Sequence, residues 1–337
     1  MPTTLKDIAA AAGVSIGTVD RALKNRGRVN PQVAEKIKQL AKEMDYHPNQ
    51  IASGLVTRTR HYKIAVILHI TQNEFFEEIL KGIQIAEKEI KDYGMSVEIY
   101  PCDDFNDKMQ LRNIENAIEE KANAIVIVPI NSPLIRKKIQ DLSKQNFPVV
   151  FLTNYLDEIP AMASIHCDYF RSGRIGAMLL NLISGGIGHA IAFFPSTVML
   201  GNQSRKKGCE DYFSKESGIT LERVIELPND PERAKRIMTK ELEAASDVNY
   251  ILFCGDADTA LTSMNRINRQ IHAVFYDLSA AAYNALRNGQ ICAVIEQSPE
   301  NQGYTSINIL FQYFLSKKLP PKEILMDSHI IFKESID

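Results

Sequence analysis

The chain is poor in the residues that build disulfide frames and metal knuckles. Its five cysteines, Cys102, Cys167, Cys209, Cys254 and Cys292, are odd in number, widely scattered and never spaced C-x-x-C, which supports neither a disulfide framework nor a zinc site. They read as reduced core residues of a cytoplasmic protein. Long apolar runs are also missing. The greasiest stretches, such as AIVIVPI at 124, fall far short of the ~18 residues a membrane span requires, and MPTTLKDIAAAAGVS places Lys6 and Asp7 where a secretory h-region has to be apolar. Neither export nor membrane insertion is expected. A glycine-rich phosphate turn is absent too: HITQNEFF follows the first expected strand, and Gly185-Gly186-Ile187-Gly188 precedes a strand and so reads as a helix stop. No nucleophile–base pair or metal spacing emerges, and the seven histidines are dispersed. His69 and His166 can approach a cleft, but a lone histidine is more often packed or capping. A nicotinamide-dependent enzyme is therefore the weaker reading, and no catalysis, cofactor or metal is expected.

What is present is ordinary globular composition, 45% hydrophobic and 24% charged in 337 residues, enough for at least two units with real cores. The net charge of −2 conceals a division. Residues 1–61 hold 10 Lys/Arg against 5 Asp/Glu, a net of +5, while the remainder holds 29 against 36, a net of −7. A small basic head on a larger acidic body suggests that only the head meets a polyanion.

Residues 4–46 read as three short helices. Thr4 and Asp7 make a capping-box-like start, Leu5, Ile8 and Ala12 form one stripe, and Gly13 supplies a left-handed stop. Ser15 can cap a second helix with Val19, Ala22 and Leu23 inside, and Asn30-Pro31 opens a third carrying Val33, Ile37, Leu40 and Met44. The following stretch, HPNQIASGLVTRTRHY, is a linker with one or two possible helical turns that need a partner to form, since Gly54 costs roughly 0.5–1 kcal/mol relative to Ala. From Lys63 onward strands and helices alternate. Runs at 64, 97, 124 and 148 form one parallel set by right-handed crossovers, and SIHCD at 164 begins a second set that continues at 189, 223, 250, 273 and 291. So many strands call for two doubly wound lobes, with ligand chemistry at the strand C-termini facing the cleft between them.

On the second helix, Ile16, Gly17, Asp20, Arg21 and Lys24 are not needed inside and share one exposed face, as on a helix lying in a DNA major groove. Ser15 and Thr18 flank that face. Arg21 can reach guanine or a phosphate, and Asn25, Arg26 and Arg28 follow it as phosphate contacts, while Asp20 opposes any particular base contact. By pattern alone, the alternative is a small helical protein-docking module with a solvated charged face.

The residues Leu5, Asp7, Ile8, Ala9, Gly13, Val14, Ser15, Thr18, Val19, Arg21, Leu23, Tyr46, Pro48 and Asn49 fit L-x-D-I-A-x-x-A-G-V-S-x-x-T-V-S-R-x-L followed by Y-x-P-N. In this the head resembles the DNA-binding head and hinge of the lactose-repressor (LacI/GalR) family. Two positions depart: Asp20 replaces the usual serine, and Ala52-Ser53-Gly54-Leu55 replaces A-R-S-L, removing a minor-groove arginine. The resemblance implies that Leu55 wedges into a central minor-groove step of a kinked operator. It also implies DNA contacts from Ser15, Ile16, Gly17, Thr18, Arg21, Asn25 and Arg28. The weakened hinge is expected to be disordered without operator.

From Lys63 to the C-terminus the chain resembles the effector domain of the same family and, through it, periplasmic sugar-binding proteins of the ribose type. That similarity implies an effector set of Asn73, Phe75 and Phe76 (N-E-F-F where relatives carry N-P-F-F), Asn154, Asp168, Arg205, Asp256, Asp277 and Gln297. One of the two phenylalanines is expected to be helix packing. Planar bidentate groups on vicinal hydroxyls under an aromatic ring suit a sugar or polyol. Thr153-Asn154 stands where Asp-Arg usually clamps the ring, which argues against simple transfer of ribose specificity and leaves a hexose, deoxysugar or cyclic polyol open. The expected protein is α/β, with a helix-turn-helix head at 1–47, a hinge at 48–61, and two lobes at about 62–165 with 299–320 and 166–298 with 321–337. The implied function is that of a homodimeric, effector-controlled repressor binding double-stranded operator DNA. A sugar-binding receptor is the alternative that shares the body architecture.

Overall fold

A computed structural model describes residues 3, 5–23, 29–44, 61–69, 74–102, 105–195 and 199–336. Its head contains α1 (Leu5–Ala12), α2 (Ile16–Leu23) and α3 (Pro31–Glu43). Ile8, Val19 and Ile37 meet in the middle of the three, fully buried, with Ala9, Ala22 and Ala41. Gly13 adopts φ +70° between α1 and α2, the left-handed geometry expected of the stop. Asn30 caps α3 by accepting from the Gln32 amide at 2.9 Å, and Pro31 takes the first helical position, where no amide donor is needed.

The first lobe begins with β1 (Tyr62–His69), α4 (Glu74–Ile90), β2 (Met95–Cys102), α5 (Asp107–Glu119), β3 (Ala124–Ile127), α6 (Pro133–Lys144), β4 (Val149–Leu152) and β5 (Ala163–Cys167). The second holds α7 (Tyr169–Ser184), β6 (His189–Pro195), α8 (Leu200–Lys215), β7 (Thr220–Leu227), α9 (Pro231–Ala244), β8 (Val248–Phe253), α10 (Ala257–Met264), β9 (His272–Tyr276), α11 (Ala280–Arg287) and β10 (Ala293–Glu296). The chain then returns through α12 (Pro299–Ser316) and ends in β11 (Glu323–Met326) and β12 (His329–Ile331). Sheet orders are β11-β5-β4-β3-β1-β2 and β12-β10-β9-β8-β6-β7. Pairing is parallel throughout except for β12 on β10.

Each sheet is covered on both faces, which is why its strands read as continuous apolar runs. Along β1, Ile64, Val66 and Leu68 enter one cluster while Ala65 and Ile67 enter the opposite one. Gly185 closes α7 at φ +63°, the helix stop read from the glycine run.

Two boundaries differ from expectation. The SIHCD run is β5 of the first sheet, buried between β4 and β11, and Glu323–Met326 completes that same sheet. The connections between lobes therefore run through Asp168, Gln297–Ser298 and Asp327–Ser328. The tail divides because each sheet leaves an open edge beside the hinge. One extended segment caps the first edge with β11 and, two residues later, the second with β12, leaving neither edge unpaired. The connections are tied together: Cys167 Sγ lies 3.5 Å from the Gln297 carbonyl, and Ser298 Oγ donates to the Asp327 carbonyl at 3.2 Å.

Candidate functional site: a groove-facing helix and an arginine between two lobes

In the head, Ser15 Oγ accepts from the Thr18 amide at 3.1 Å and bonds Thr18 Oγ1 at 2.9 Å, capping α2. Arg21 Nη2 donates to Thr18 Oγ1 at 3.3 Å. Ser15, Ile16, Gly17 and Arg21 face solvent, whereas Thr18 is half-buried. Ile16, 48% exposed, has nothing apolar to gain from the head's own core. An apolar tip, a small residue and an arginine at the start of an exposed helix match what a major groove can read, thymine methyls included. Asn25, Arg28 and the hinge with Leu55 lie outside the described residues.

Between the lobes the governing group is Arg205, on α8 and only 2% exposed. Its Nη1 donates to Cys254 Sγ at 3.0 Å and its Nη2 to Gln297 Oε1 at 2.5 Å, and Gln297 Nε2 donates in turn to Asp277 Oδ1 at 2.5 Å. The Arg205 Nε has no hydrogen-bond partner among the described residues. Two tyrosine rings flank the guanidinium, Tyr169 at 4.9 Å and Tyr276 at 4.4 Å from its carbon. Each ring is anchored by its hydroxyl, Tyr276 on the Ser172 carbonyl at 2.8 Å and Tyr169 on the Thr153 carbonyl. Close helix packing seats the arginine. A Cβ on Gly173 of α7 would come within 1.9 Å of the Arg205 carbonyl, and one on Gly208 of α8 within 1.9 Å of the Phe170 carbonyl.

Asp277, half-buried after β9, holds φ +66° and is surrounded by protein groups. Burial pushes its carboxyl above the usual range, against the opposing pull of Arg205 and the Gln297 amide. Burial likewise raises Cys254 to about 11, against the pull of Arg205, so that sulfur remains a thiol. The result is a desolvated cation with an unspent N–H, linked through a neutral amide to a reluctant carboxylate. Such a set offers fixed donors and acceptors to a neutral polyhydroxyl compound.

The remaining expected effector residues have protein partners of their own. Phe76 packs in the first-lobe core, 6.1 Å edge-on to His69, while Phe75 stays half-buried against the same cluster. Asn154 is committed within the protein: its Nδ2 donates to the Pro129 carbonyl at 2.7 Å and its Oδ1 accepts from the Gly201 amide at 3.1 Å. It clips β4 of one lobe to the start of α8 in the other. Asp168 caps α7 through the Arg171 amide at 2.9 Å, and Asp256 caps α10 through Thr259 at 2.9 Å, both exposed. These two carry the ordinary role of an aspartate ahead of a helix, because an Ncap carboxylate satisfies orphan amides. Asn73 lies outside the described residues. His166 is packed, with Nδ1 2.8 Å from the Cys167 carbonyl and Nε2 3.4 Å from Glu323.

Missed by sequence reasoning were Tyr276 and Cys254, together with the part played by Tyr169. The available signal was Tyr169 where relatives carry asparagine, which adds a ring beside the arginine, and VFYD where they carry VGFD, which puts a hydroxyl on the ring at Tyr276. A hollow of about 620 Å³ opens beside the crossover at Asp168, lined by Tyr155, His166, Tyr169, Ser204, Lys322 and Glu323. It shares the Tyr169 ring with Arg205, and its carboxylates Asp157, Asp168 and Glu323 are exposed. No group of His, Cys, Asp and Glu among the described residues could hold a metal ion, and no described helix is long and apolar enough to cross a membrane.

A helix-turn-helix head followed by two parallel-sheet lobes, with polar groups converging at the strand ends, defines a DNA-binding regulator with a binding-protein body. The comparisons agree. Residues 4–49 match the bacterial regulatory proteins of the lacI family, and residues 64–318 match the periplasmic binding protein domain. The chain belongs to the lacI family of bacterial transcription regulators. It is 32% identical to the ribose operon repressor of Halalkalibacterium halodurans, over 99% of this chain and 97% of that one. It is 30% identical to the ribose operon repressor of Bacillus subtilis (strain 168) over 161 residues, 48% of this chain and 46% of that one. In fold it is similar to GanP, a glucose-galactose binding protein from Geobacillus stearothermophilus, at TM-score 0.73 and 20% identity, covering 81% of this chain and 98% of that one. These relatives are regulators and binding proteins.

Proposed function

We propose that this regulator is a cytoplasmic homodimeric repressor whose two heads read a pseudo-palindromic operator, and that a neutral sugar or cyclic polyol bound beside Arg205 resets its operator affinity. It works by binding, with no chemical step. Two-fold symmetry makes paired half-sites useful, and α2 presents Ser15, Ile16, Gly17, Thr18 and Arg21 to the groove, with Asn25, Arg28 and Leu55 as further DNA contacts. The effector contacts are Arg205, Asp277, Gln297 and Phe75, with Asn73 completing the set.

One observation carries the reading: a 2% exposed arginine keeps an unpaired N–H between two lobes and is wired through Gln297 to Asp277. A buried donor left open is costly, and a ligand oxygen removes that cost. Resemblance to the two ribose operon repressors supports a sugar, while the commitment of Asn154 inside the protein favours a ligand that needs fewer clamps than ribose. Ligand and operator are coupled because each favours one lobe arrangement.

The deciding experiment pairs a thermal-shift screen of sugars, polyols and sugar acids with operator selection and anisotropy titrations at several salt concentrations. A neutral polyol should raise the melting temperature by mass action and change the affinity for the selected duplex. Duplex binding that is absent at low ionic strength, or a shift produced by sugar acids alone, refutes the proposal.

A further inference from the structure

The cleft is bridged by a contact that the effector set does not include. Glu74, the first residue of α4 in the first lobe, accepts a hydrogen bond from the Ala280 amide of the second lobe at 2.6 Å, across 206 residues of chain. Ala280 is the first residue of α11, and the amides of a helix's first turn have no partner inside the helix. Ser279 Oγ takes the Ala282 amide at 3.1 Å, and Glu74 takes that of Ala280. A carboxylate is favoured at this end of a helix by the peptide dipoles. Relatives that carry N-P-F-F have proline at this position, which has no side-chain acceptor.

The contact falls where the site is made. The turn before α11 runs from Asp277 to Ser279, with the Ser279 amide on the Asp277 carbonyl at 3.1 Å and the Asp277 amide on the Ile295 carbonyl at 3.0 Å. Asp277 has φ +66°, a conformation that a non-glycine residue holds only when its surroundings enforce it. Glu74 adds a restraint from the opposite lobe, and the very next residue is Phe75. A single carboxylate thus ties the turn that aims Asp277 to the helix start that presents the aromatic ring.

We propose that Glu74 is a positioning residue for the effector site, an interlobe latch that holds the Asp277 turn against the Phe75 turn when the lobes are together. The proposal rests on the effector reading above, and its first two measurements need no ligand. Full-length wild type, Glu74→Gln and Glu74→Ala are compared by residue-resolved hydrogen exchange at Ala280, by solution scattering, and by polyol titration. In Glu74→Ala the Ala280 amide exchanges roughly 10-fold faster, the radius of gyration increases, and the polyol binds roughly 3- to 10-fold more weakly, as expected for losing one charge-assisted hydrogen bond from the closed state. Glu74→Gln, which keeps an acceptor oxygen, restores part of all three, a recovery that simple loss of packing would not give. Equal exchange at Ala280 in wild type and Glu74→Ala overturns the latch. So does faster exchange with unchanged affinity, which leaves a contact that positions nothing. Wild type that binds no polyol defeats the effector reading instead, and the exchange and scattering results then judge the latch by themselves.

Discussion

The two lobes share one strand order, yet they furnish the cleft unequally. The second lobe and the connection leaving it bring the polar groups: Arg205 from α8, Asp277 after β9, Cys254 after β8 and Gln297 after β10. The first lobe brings an aromatic edge at Phe75 and interlobe ties from Asn154 to Gly201, from Glu74 to Ala280 and from the Thr153 carbonyl to the Tyr169 hydroxyl. The packing device is the same in both. Gly173 and Gly208 let α7 and α8 touch, and Gly82 and Gly303 do the same for α4 and α12, where an added Cβ would lie 1.9 and 2.1 Å from a carbonyl oxygen. A repeated scaffold can thus hold recognition chemistry on one side and the means of closure on the other. Desolvating a cation is tolerable only where its surroundings are rigidly held, as the Tyr169 and Tyr276 rings, Cys254 and Gln297 are around Arg205.

The largest expected effect breaks the polar side. Arg205→Met, close in volume, should weaken polyol binding by about 2–5 kcal/mol, the range for removing a buried hydrogen-bonded charge, while operator affinity without ligand is retained. Calorimetry beside duplex anisotropy checks this, and unchanged polyol affinity would remove Arg205 from the site.

Next come the glycines. Gly208→Ala and Gly303→Ala should each cost about 1–3 kcal/mol of stability, since an added methyl meets backbone that cannot yield. Only Gly208→Ala should also lower polyol affinity among the folded molecules, because it displaces the helix that seats Arg205. Denaturant melts with affinity corrected for folded fraction test the asymmetry; equal losses of affinity would mean that the lobes share the recognition chemistry.

A subtler effect should come from Asp277→Asn. The folded-state pKa of Asp277 is raised, so its favourable contribution is complete below the unfolded carboxyl value of about 3.9 and is lost as pH rises through the folded value. Removing the charge should therefore raise the ligand-free melting temperature at neutral pH by about 2–4 °C and flatten its decline with rising pH, at the expense of polyol binding. Melting curves of both proteins across mildly acidic to neutral pH decide it. The smallest change is expected outside the lobes: Ser15→Ala removes the α2 cap and should cost the head about 1 kcal/mol, with weakened operator binding and an untouched polyol response.

Much of this architecture was legible. Caps at Ser15 and Asn30, the left-handed stop at Gly13 and the apolar stripes are local signals, and the head follows them. Arg205, Asp277 and Gln297 were named through resemblance to family motifs, and the fold joins the three in one hydrogen-bonded chain. Asn154, Asp168 and Asp256 show what letters leave open: an amide or carboxylate beside a helix start serves a cap or a clip as readily as a ligand, and here the fold gives each a cap or a clip. The lobe boundary failed at β5 and β11 for a different reason: which sheet takes an edge strand depends on which edge is open when the chain returns.

By itself the sequence determined what is local in the chain: the periodicity of each helix and strand, the basic head on an acidic body, and the residue types at each strand end. Tertiary structure alone decided which of those residues face one another. It set two tyrosine rings around Arg205, spent Asn154 on holding the lobes together, and brought Glu74 to an amide 206 residues away. Hydrogen bonding is directional and short in range, so a side chain's role follows from the neighbour that folding supplies.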